Sequence, residues 1–270
     1  MSALPSSSGS PAAAADTHIT VRGLSKAFGG QPLYSGFNLD FPRSKITSIF
    51  GPNGCGKSTL INMISGLIPV DAGEVLFDGK RLSETVIGYV FQNYRDALFP
   101  WKRSIDNIKY PLQLAGQSPA DCEARTQELI ASFDVRFDLN RYPYELSGGQ
   151  QQLISIMRAL APHPEVLFLD EPFSALDYEM TLFMRDKLQA IFASTGTTMI
   201  VVSHDLEEAV YLADEVLMLT RRPTRVADVV AFNAPRPRFP KTLTSPEFMA
   251  AKAQCLDVFQ REVQTKELAQ

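Results

Sequence analysis

The stretch GPNGCGKST (Gly51, Pro52, Asn53, Gly54, Cys55, Gly56, Lys57, Ser58 and Thr59) fits the pattern G-x-x-x-x-G-K-[ST]. It lies between an apolar run, KITSIF, and a helix-patterned run, STLINMISGL. These residue types suit phosphate binding. Bare glycine backbone lets successive N–H groups curl around phosphate oxygens, and the start of the following helix adds positive potential. Lys57 is suited to neutralise the outer phosphates of a nucleotide, and the Ser58 hydroxyl to ligate Mg²⁺.

A second stretch, VLFLDEP, sets Asp170 and Glu171 at the end of an apolar strand. Asp170 is suited to hold Mg²⁺ through water and Glu171 to polarise or deprotonate an attacking water, because the metal dominates the field at whichever carboxylate lies nearer. His204, ending MIVVSH, is another polar group at a strand end and is expected to contact the γ-phosphate. Gln92 closes GYVFQ and offers an amide oxygen to the same Mg²⁺. Phe28, before a Gly-Gly turn, is placed either to stack on a base, for roughly 0.5–1.5 kcal/mol, or to staple a hairpin.

Ser147, Gly148, Gly149 and Gln150 form a further glycine-bearing turn just before the helical run that contains Leu153, Ile156, Met157 and Leu160. Glycine in a first helical turn costs about 1 kcal/mol against alanine, so bare backbone must be required there. A serine and two glycines at a helix start form a second anion site. Two such sites imply a nucleotide clamped between surfaces, within one chain or between two.

The elements that must position these residues alternate in type. HITVRGL and KITSIF read as short strands, GEVLFDGKRL as a hairpin turning at Asp78–Gly79, and VIGYVFQ as a strand. Residues 93–161 read as helix, including ADCEARTQELIASF, with no strongly apolar strand between. Then VLFLDEP, TTMIVVSHD, EVLMLT and RVADVVAF are strands, separated by helices over 178–193 and LEEAVYLA. This alternation predicts an α/β fold with a mostly parallel sheet, helices on both faces and an inserted helical subdomain. NAPRPRFP reads as a linker, and the last 25 residues as a terminal helix that Ser245 could cap. The expected organisation is a disordered leader over 1–16, a nucleotide-binding domain over 17–235 with the helical insertion at about 93–161, and a linker and helix over 236–270.

Composition sets limits. The chain has 270 residues and a net charge of −4, which argues against general nucleic-acid binding. Its 3 cysteines lack metal-ligand spacing and suit a reducing compartment. No run approaches the ~18–20 uncharged apolar residues of a membrane span, and the N-terminus is a poor signal peptide. The chain is expected to be cytoplasmic, with any membrane role coming through a partner.

The phosphate loop, Gln92, LSGGQ (Leu146 to Gln150), VLFLDEP, SALD (Ser174 to Asp177) and SHD stand in an order that resembles the ATP-binding subunits of ABC transporters, over roughly residues 18–232. The resemblance implies a P-loop NTPase core with an antiparallel β subdomain, ATP and Mg²⁺ as cofactors, and a head-to-tail dimer. Ser147 and Gly149 of one subunit would contact the γ-phosphate held by the other, with Asp177 at the interface. It further implies a second ATPase subunit, a transmembrane permease and, through it, a solute-binding protein as partners. The chain would then sit on the inner face of the cell membrane. VFQNYRDALFPWKRSIDNIKYPLQLAG and LTRRPTRV…APRPR resemble the nitrate, sulfonate and taurine importer group, in which residues 92–110 would dock the permease. Leu153 stands where that family usually has an arginine. A non-transport ABC ATPase is the alternative, weakened by the single cassette and the lack of heptads. A small-molecule P-loop kinase leaves LSGGQ and SALD unexplained.

Overall fold

Two twelve-residue strands, β1 (Thr17–Phe28) and β2 (Gln31–Pro42), pair antiparallel across the Gly29–Gly30 turn. Both glycines have positive φ, 56° and 78°, a conformation that suits the tight turn between twisted strands. These strands are longer than the short ones expected, because the ladder runs on through register shifts rather than ending at them. The chain continues through β3 (Ile46–Phe50), α1 (Lys57–Ile64) and β4 (Ala72–Phe77), which adds to the far side of β1. The expected hairpin after β4 is corrected. The Asp78–Gly79 turn forms, but its return arm is a single bridge from Phe77 to Lys80, and Leu82–Glu84 is a 3₁₀ turn. The partner that β4 needs is supplied by β1 instead.

Next come β5 (Ile87–Val90), α2 (Tyr94–Ala97), α3 (Ser104–Leu114), α4 (Pro119–Ser132) and α5 (Gly148–Leu160). They are followed by β6 (Val166–Asp170), α6 (Tyr178–Thr195), β7 (Thr198–Val202), α7 (Leu206–Leu212), β8 (Glu215–Leu219), β9 (Val226–Ala231) and α8 (Pro246–Gln264). The computed structural model describes residues 16–174 and 176–264; the expected leader, apart from Asp16, and residues 265–270 lie outside the described residues.

The six-stranded sheet runs β5-β6-β7-β3-β8-β9, parallel except for the β8–β9 pair. Strands β3, β6 and β7 are buried at every position, as strands covered on both faces must be. Alternation along a strand then divides the core. Val166 and Phe168 join Ile49, Ile200 and Leu217 under α1 and the antiparallel sheet. Leu167 and Leu169 face the other way, into the cluster shared with the helices.

In that second cluster, Ile108 and Leu112 of α3 meet Leu129 of α4 and Ile154 and Met157 of α5. Asn107 is fully buried. Its amide donates to the Phe99, Lys102 and Arg103 carbonyls and its oxygen accepts from Phe99 N–H at 2.8 Å, which holds the 99–103 loop in one shape. Ser245 caps α8, its Oγ accepting from Phe248 N–H at 3.2 Å.

The segment before α8 has neither helix nor strand over 232–239, yet it is pinned by a buried cation. Arg238 is 1% exposed and donates to the carbonyls of Tyr211 and Ala213, both at 2.7 Å, and of Phe232 at 2.8 Å. Burial and the adjacent Arg236 push its guanidinium down to about 10, which leaves it charged at neutral pH, with Asp214 at 3.5 Å as counter-ion. Removing it would strand carbonyls at the end of α7 without donors. Arg238→Ala is therefore expected to lower unfolding free energy by about 3 kcal/mol or more, read as the shift in urea midpoint. An unchanged midpoint would show that those carbonyls find other donors.

Candidate functional site

Strand β3 ends at Phe50, and the phosphate loop turns back over its tip. Gly51 is packed so closely that a Cβ there would lie 2.8 Å from the Leu219 carbonyl oxygen. Gly54 and Gly56 have φ of 73° and 104°, the left-handed region that favours glycine, and Gly56 caps α1. Lys57 is buried and its Nζ curls inward, donating to the carbonyls of Gly51 at 3.0 Å and Pro52 at 3.4 Å.

Ser58 and Asp170 come together. The Ser58 Oγ donates to Asp170 Oδ1 at 2.8 Å. Asp170 is 5% exposed. Desolvation raises its carboxyl above the ordinary aspartate value of 3.8, Glu171 adds to this, and the Ser58 hydroxyl and Lys57 oppose it. Beside it, Glu171 has φ of 45°, a strained conformation for a residue with a side chain. Its N–H still bonds the Val202 carbonyl at 3.0 Å, which places it against the end of β7. Its Oε2 accepts from Gln92 Nε2 at 3.0 Å and lies 3.2 Å from His204 Nδ1. Thus Gln92, Glu171 and His204, spread over 113 positions of sequence by their numbers, meet at one carboxylate.

Other predicted residues stand apart from this cluster. Phe28 is 47% exposed at the end of β1, so it does not bury itself as a hairpin staple. Asp177 caps α6, its Oδ1 accepting from Met180 N–H at 2.8 Å. Ser147 caps α5 in a reciprocal box. Its N–H donates to Gln150 Oε1 at 3.0 Å and its Oγ accepts from Gln150 N–H at 3.4 Å. Among the described residues, no hydrogen bond joins Ser147–Gln150 to the phosphate loop of the same chain. The two glycines also have a local reason. A Cβ on Gly148 would lie 2.5 Å from the Tyr94 hydroxyl, and one on Gly149 would lie 2.9 Å from Met180 Cγ.

Three contacts were not read from the sequence. Gln152, buried, donates from Nε2 to the Pro172 carbonyl at 2.6 Å and ties α5 to the turn that carries Glu171. The only sequence signal was the run of three glutamines. Arg222 Nε donates to the Gly54 carbonyl at 2.7 Å, and Thr224 Oγ1 donates to the Cys55 carbonyl, so the loop after β8 braces the phosphate loop. Cys55 itself is buried, and burial pushes its thiol up. Leu153, where an arginine was the usual residue, packs into the core at 4% exposure.

The family model described as "ABC transporter" matches residues 34–174. The sulfate/thiosulfate import ATP-binding protein of Neisseria meningitidis is 39% identical over 210 residues, 74% of this chain; the match spans only 58% of that relative's length. The taurine import ATP-binding protein of Escherichia coli (strain K12) is 37% identical over 215 residues, covering 77% of this chain and 82% of that one. Among solved structures, a dimer of the ATP-binding cassette MJ0796 in a post-hydrolysis state with ADP and Pi aligns with a TM-score of 0.71 at 27% identity, covering 80% of this chain and all of that one. CbiO1 of Clostridium perfringens, part of the ABC transporter complex CbiONQ, aligns with a TM-score of 0.71 at 26% identity, covering 79% and 88%.

The buried carboxyl carries a testable sign. Because the folded pKa of Asp170 is raised, the folded chain keeps a proton that the unfolded chain has released, and stability falls as pH rises from about 4 through the raised value. Asp170→Asn removes this loss. Without nucleotide or metal, its Tm is expected to exceed that of the native chain at pH 7.5 and to converge with it near pH 4. Calorimetric scans across that range decide it, since a constant offset would assign the difference to something other than titration.

Proposed function

We propose, from the premise that this chain belongs to the ABC transporter family of ATP-binding proteins, that it hydrolyses Mg²⁺-ATP to drive import of a small solute through a membrane permease. The observation that carries the reading is the meeting of Gln92, Glu171 and His204 beside the Ser58–Asp170 pair.

The residues fit both cofactors. Gly54 and Gly56 give the loop its left-handed turns, and Lys57 Nζ, now on the Gly51 and Pro52 carbonyls, would exchange them for phosphate oxygens. Ser58, Asp170 and Gln92 are oxygen donors of the kind Mg²⁺ takes, and a cation would relieve the unfavourable burial of the Asp170 charge. When bound, the metal supplies positive charge against the outer phosphates. Glu171, aimed by its strained backbone and by Gln92, would orient a water and accept its proton, and His204, 3.2 Å from the same carboxylate, would contact the terminal phosphate. Phe28, half exposed, is available to a base.

Two copies complete the sites. Ser147 is exposed at the start of α5 and makes no bond to its own phosphate loop among the described residues, which suits a role toward the loop of a second copy. Asp177, exposed at the start of α6, would lie at the same interface. Permease docking falls to the rigid loop around Asn107. There Trp101 is 72% exposed with its ring 5.4 Å from that of Phe99, which does not fit a side chain that merely packs the helices together. The named relatives import sulfate, thiosulfate or taurine, so a small sulfur oxyanion or a solute of the nitrate and sulfonate group is the proposed cargo, delivered by a solute-binding protein. The chain would then be cytoplasmic and peripheral. Among the described residues, no helix is long and apolar enough to cross a membrane.

Glu171→Gln is expected to bind ATP as the native chain does and to hydrolyse it at least ~100-fold more slowly, as loss of one general base predicts. Held with ATP, it should also retain a multi-span permease from detergent-solubilised membranes. Hydrolysis near the native rate would remove Glu171 as the base. In a separate test, Ser147→Arg should leave ATP binding by the single chain intact and abolish ATP-dependent dimerisation in light scattering. A variant that still dimerises with ATP would sink the clamp between copies.

A further inference from the structure

Far from the phosphate loop, His18 poses an unsolved problem of polar burial. It stands near the start of β1, with 3% exposure, and its Nδ1 lies 2.6 Å from Thr198 Oγ1 at the start of β7. Its Nε2 is buried and has no hydrogen-bond partner. That atom points at Asp78, whose Oδ2 lies 3.8 Å away, too far for a hydrogen bond. The other Asp78 oxygen is held by Arg43. Glu165, just before β6, brings a third donor, so that one atom each of His18, Asp78 and Glu165 lie within 4.8 Å of one another. His18, Arg43 and Glu165 also line an open cavity of about 440 Å³, which gives solutes a way in.

Neither imidazole tautomer is satisfied by protein alone. If Nδ1–H donates to Thr198 Oγ1, which already accepts from Ser44 N–H at 2.9 Å, Nε2 is a bare lone pair facing two carboxylates. If Nε2 carries the proton, a buried N–H lacks an acceptor, which costs about 1–3 kcal/mol. Metal-ligating histidines usually donate their other N–H to an oxygen, which is the arrangement of the first tautomer. One nitrogen and two carboxylate oxygens form a ligand set suited to Zn²⁺ and its transition-metal neighbours rather than to Mg²⁺.

We propose that His18 Nε2, Asp78 Oδ2 and a Glu165 carboxylate oxygen form a structural site for a divalent transition ion of the Zn²⁺ type, with water as the fourth ligand. Donors around one tetrahedral ion stand roughly 3.4 Å apart, given bonds of about 2.1 Å. The present spacing would close to that by small movements of Glu165, whose Oε1 accepts from Val86 N–H at 3.4 Å, and of Asp78 about its Arg43 contact, both residues being exposed. Arg43 leaves Asp78 Oδ2 clear and offsets one negative charge. The ion would join three segments that the fold brings together: β1 and the turn after β4 from the antiparallel sheet, and the entry to β6 from the central sheet. Asp170 and Glu171 lie at the other end of β6, so the ion would fix the antiparallel sheet on the strand that carries them, without entering their chemistry.

The test uses the purified full chain, stripped of metal and kept in excess Mg²⁺. Zn²⁺ is titrated by calorimetry, and Co²⁺ serves as a spectroscopic probe. Expected are one-to-one binding, visible d–d bands with Co²⁺, and a Tm raised by roughly 5 °C at a hundredfold excess over Kd. Glu165→Gln and Asp78→Asn, both at exposed positions, should each weaken binding at least ~10-fold while leaving the circular dichroism spectrum unchanged. Absence of saturable Zn²⁺ binding would overturn the proposal. So would native affinity in both variants, which would place the ion elsewhere, for example at Glu171 and His204.

Discussion

The parallel hydrogen-bonded ladder of β6, β7 and β3 is the constraint on which the remainder depends. Its register sets Asp170 beside Val202, and Val202 beside Ile49, so three chain segments leave the sheet at one level. The phosphate loop follows β3, the acidic pair ends β6, and His204 follows β7. Each strand is buried along its whole length because both faces are covered, with Thr47 and Ser48 the polar side chains inside β3, and the charged groups of the site stand where the ladder stops. A shift of one residue in any of these pairings would exchange the two core faces and separate Ser58 from Asp170.

The chemistry assembled there is held under tension. Asp170 is buried where its charge is disfavoured, and Glu171 adopts a left-handed backbone that few side-chain-bearing residues accept. Both costs are met by the neighbourhood: Ser58 and Lys57 offset the first, while the Val202 carbonyl, Gln92 and the buried Pro172–Gln152 bond hold the second. Gln152 and Gln92 have a further consequence. One ties α5 to the acidic turn, and the other ties the chain entering the helical insertion to the same carboxylate. The helical insertion is thus bonded at both its ends to the turn that carries Glu171.

The glycines of the LSGGQ turn sit where side chains of the same chain crowd the backbone. Packing within the chain favours them, since a Cβ at either position would push aside the Tyr94 hydroxyl or the Met180 side chain. That close approach also leaves the start of α5 capped by Ser147 and bare of bulky side chains on its exposed side. Local packing at these two glycines is thus compatible with the anion-binding helix start proposed for this turn.

Much of this was legible in the sequence. Spacing in GPNGCGKST, the acidic pair after VLFL and the alternation of strand and helix follow from local rules: glycine for positive φ, apolar runs for buried strands, 3.6-residue periodicity for helices. The local rules also failed in identifiable places. GEVLFDGKRL carries a sound turn signal, yet its strand pairs with β1 because antiparallel neighbours are chosen by the sheet and not by the turn. Arg238 sits in a proline-rich stretch that reads as a tether, and only the folded chain shows the carbonyls that make it an anchor. The meeting of His18, Asp78 and Glu165, and the bracing of the phosphate loop by Arg222 and Thr224, lie beyond any spacing rule. What the sequence determined was the set of local conformations and the chemistry of each group. Which groups face one another was decided by long-range pairing of strands, because contact between residues more than a hundred positions apart is a property of the sheet order and not of any stretch of chain.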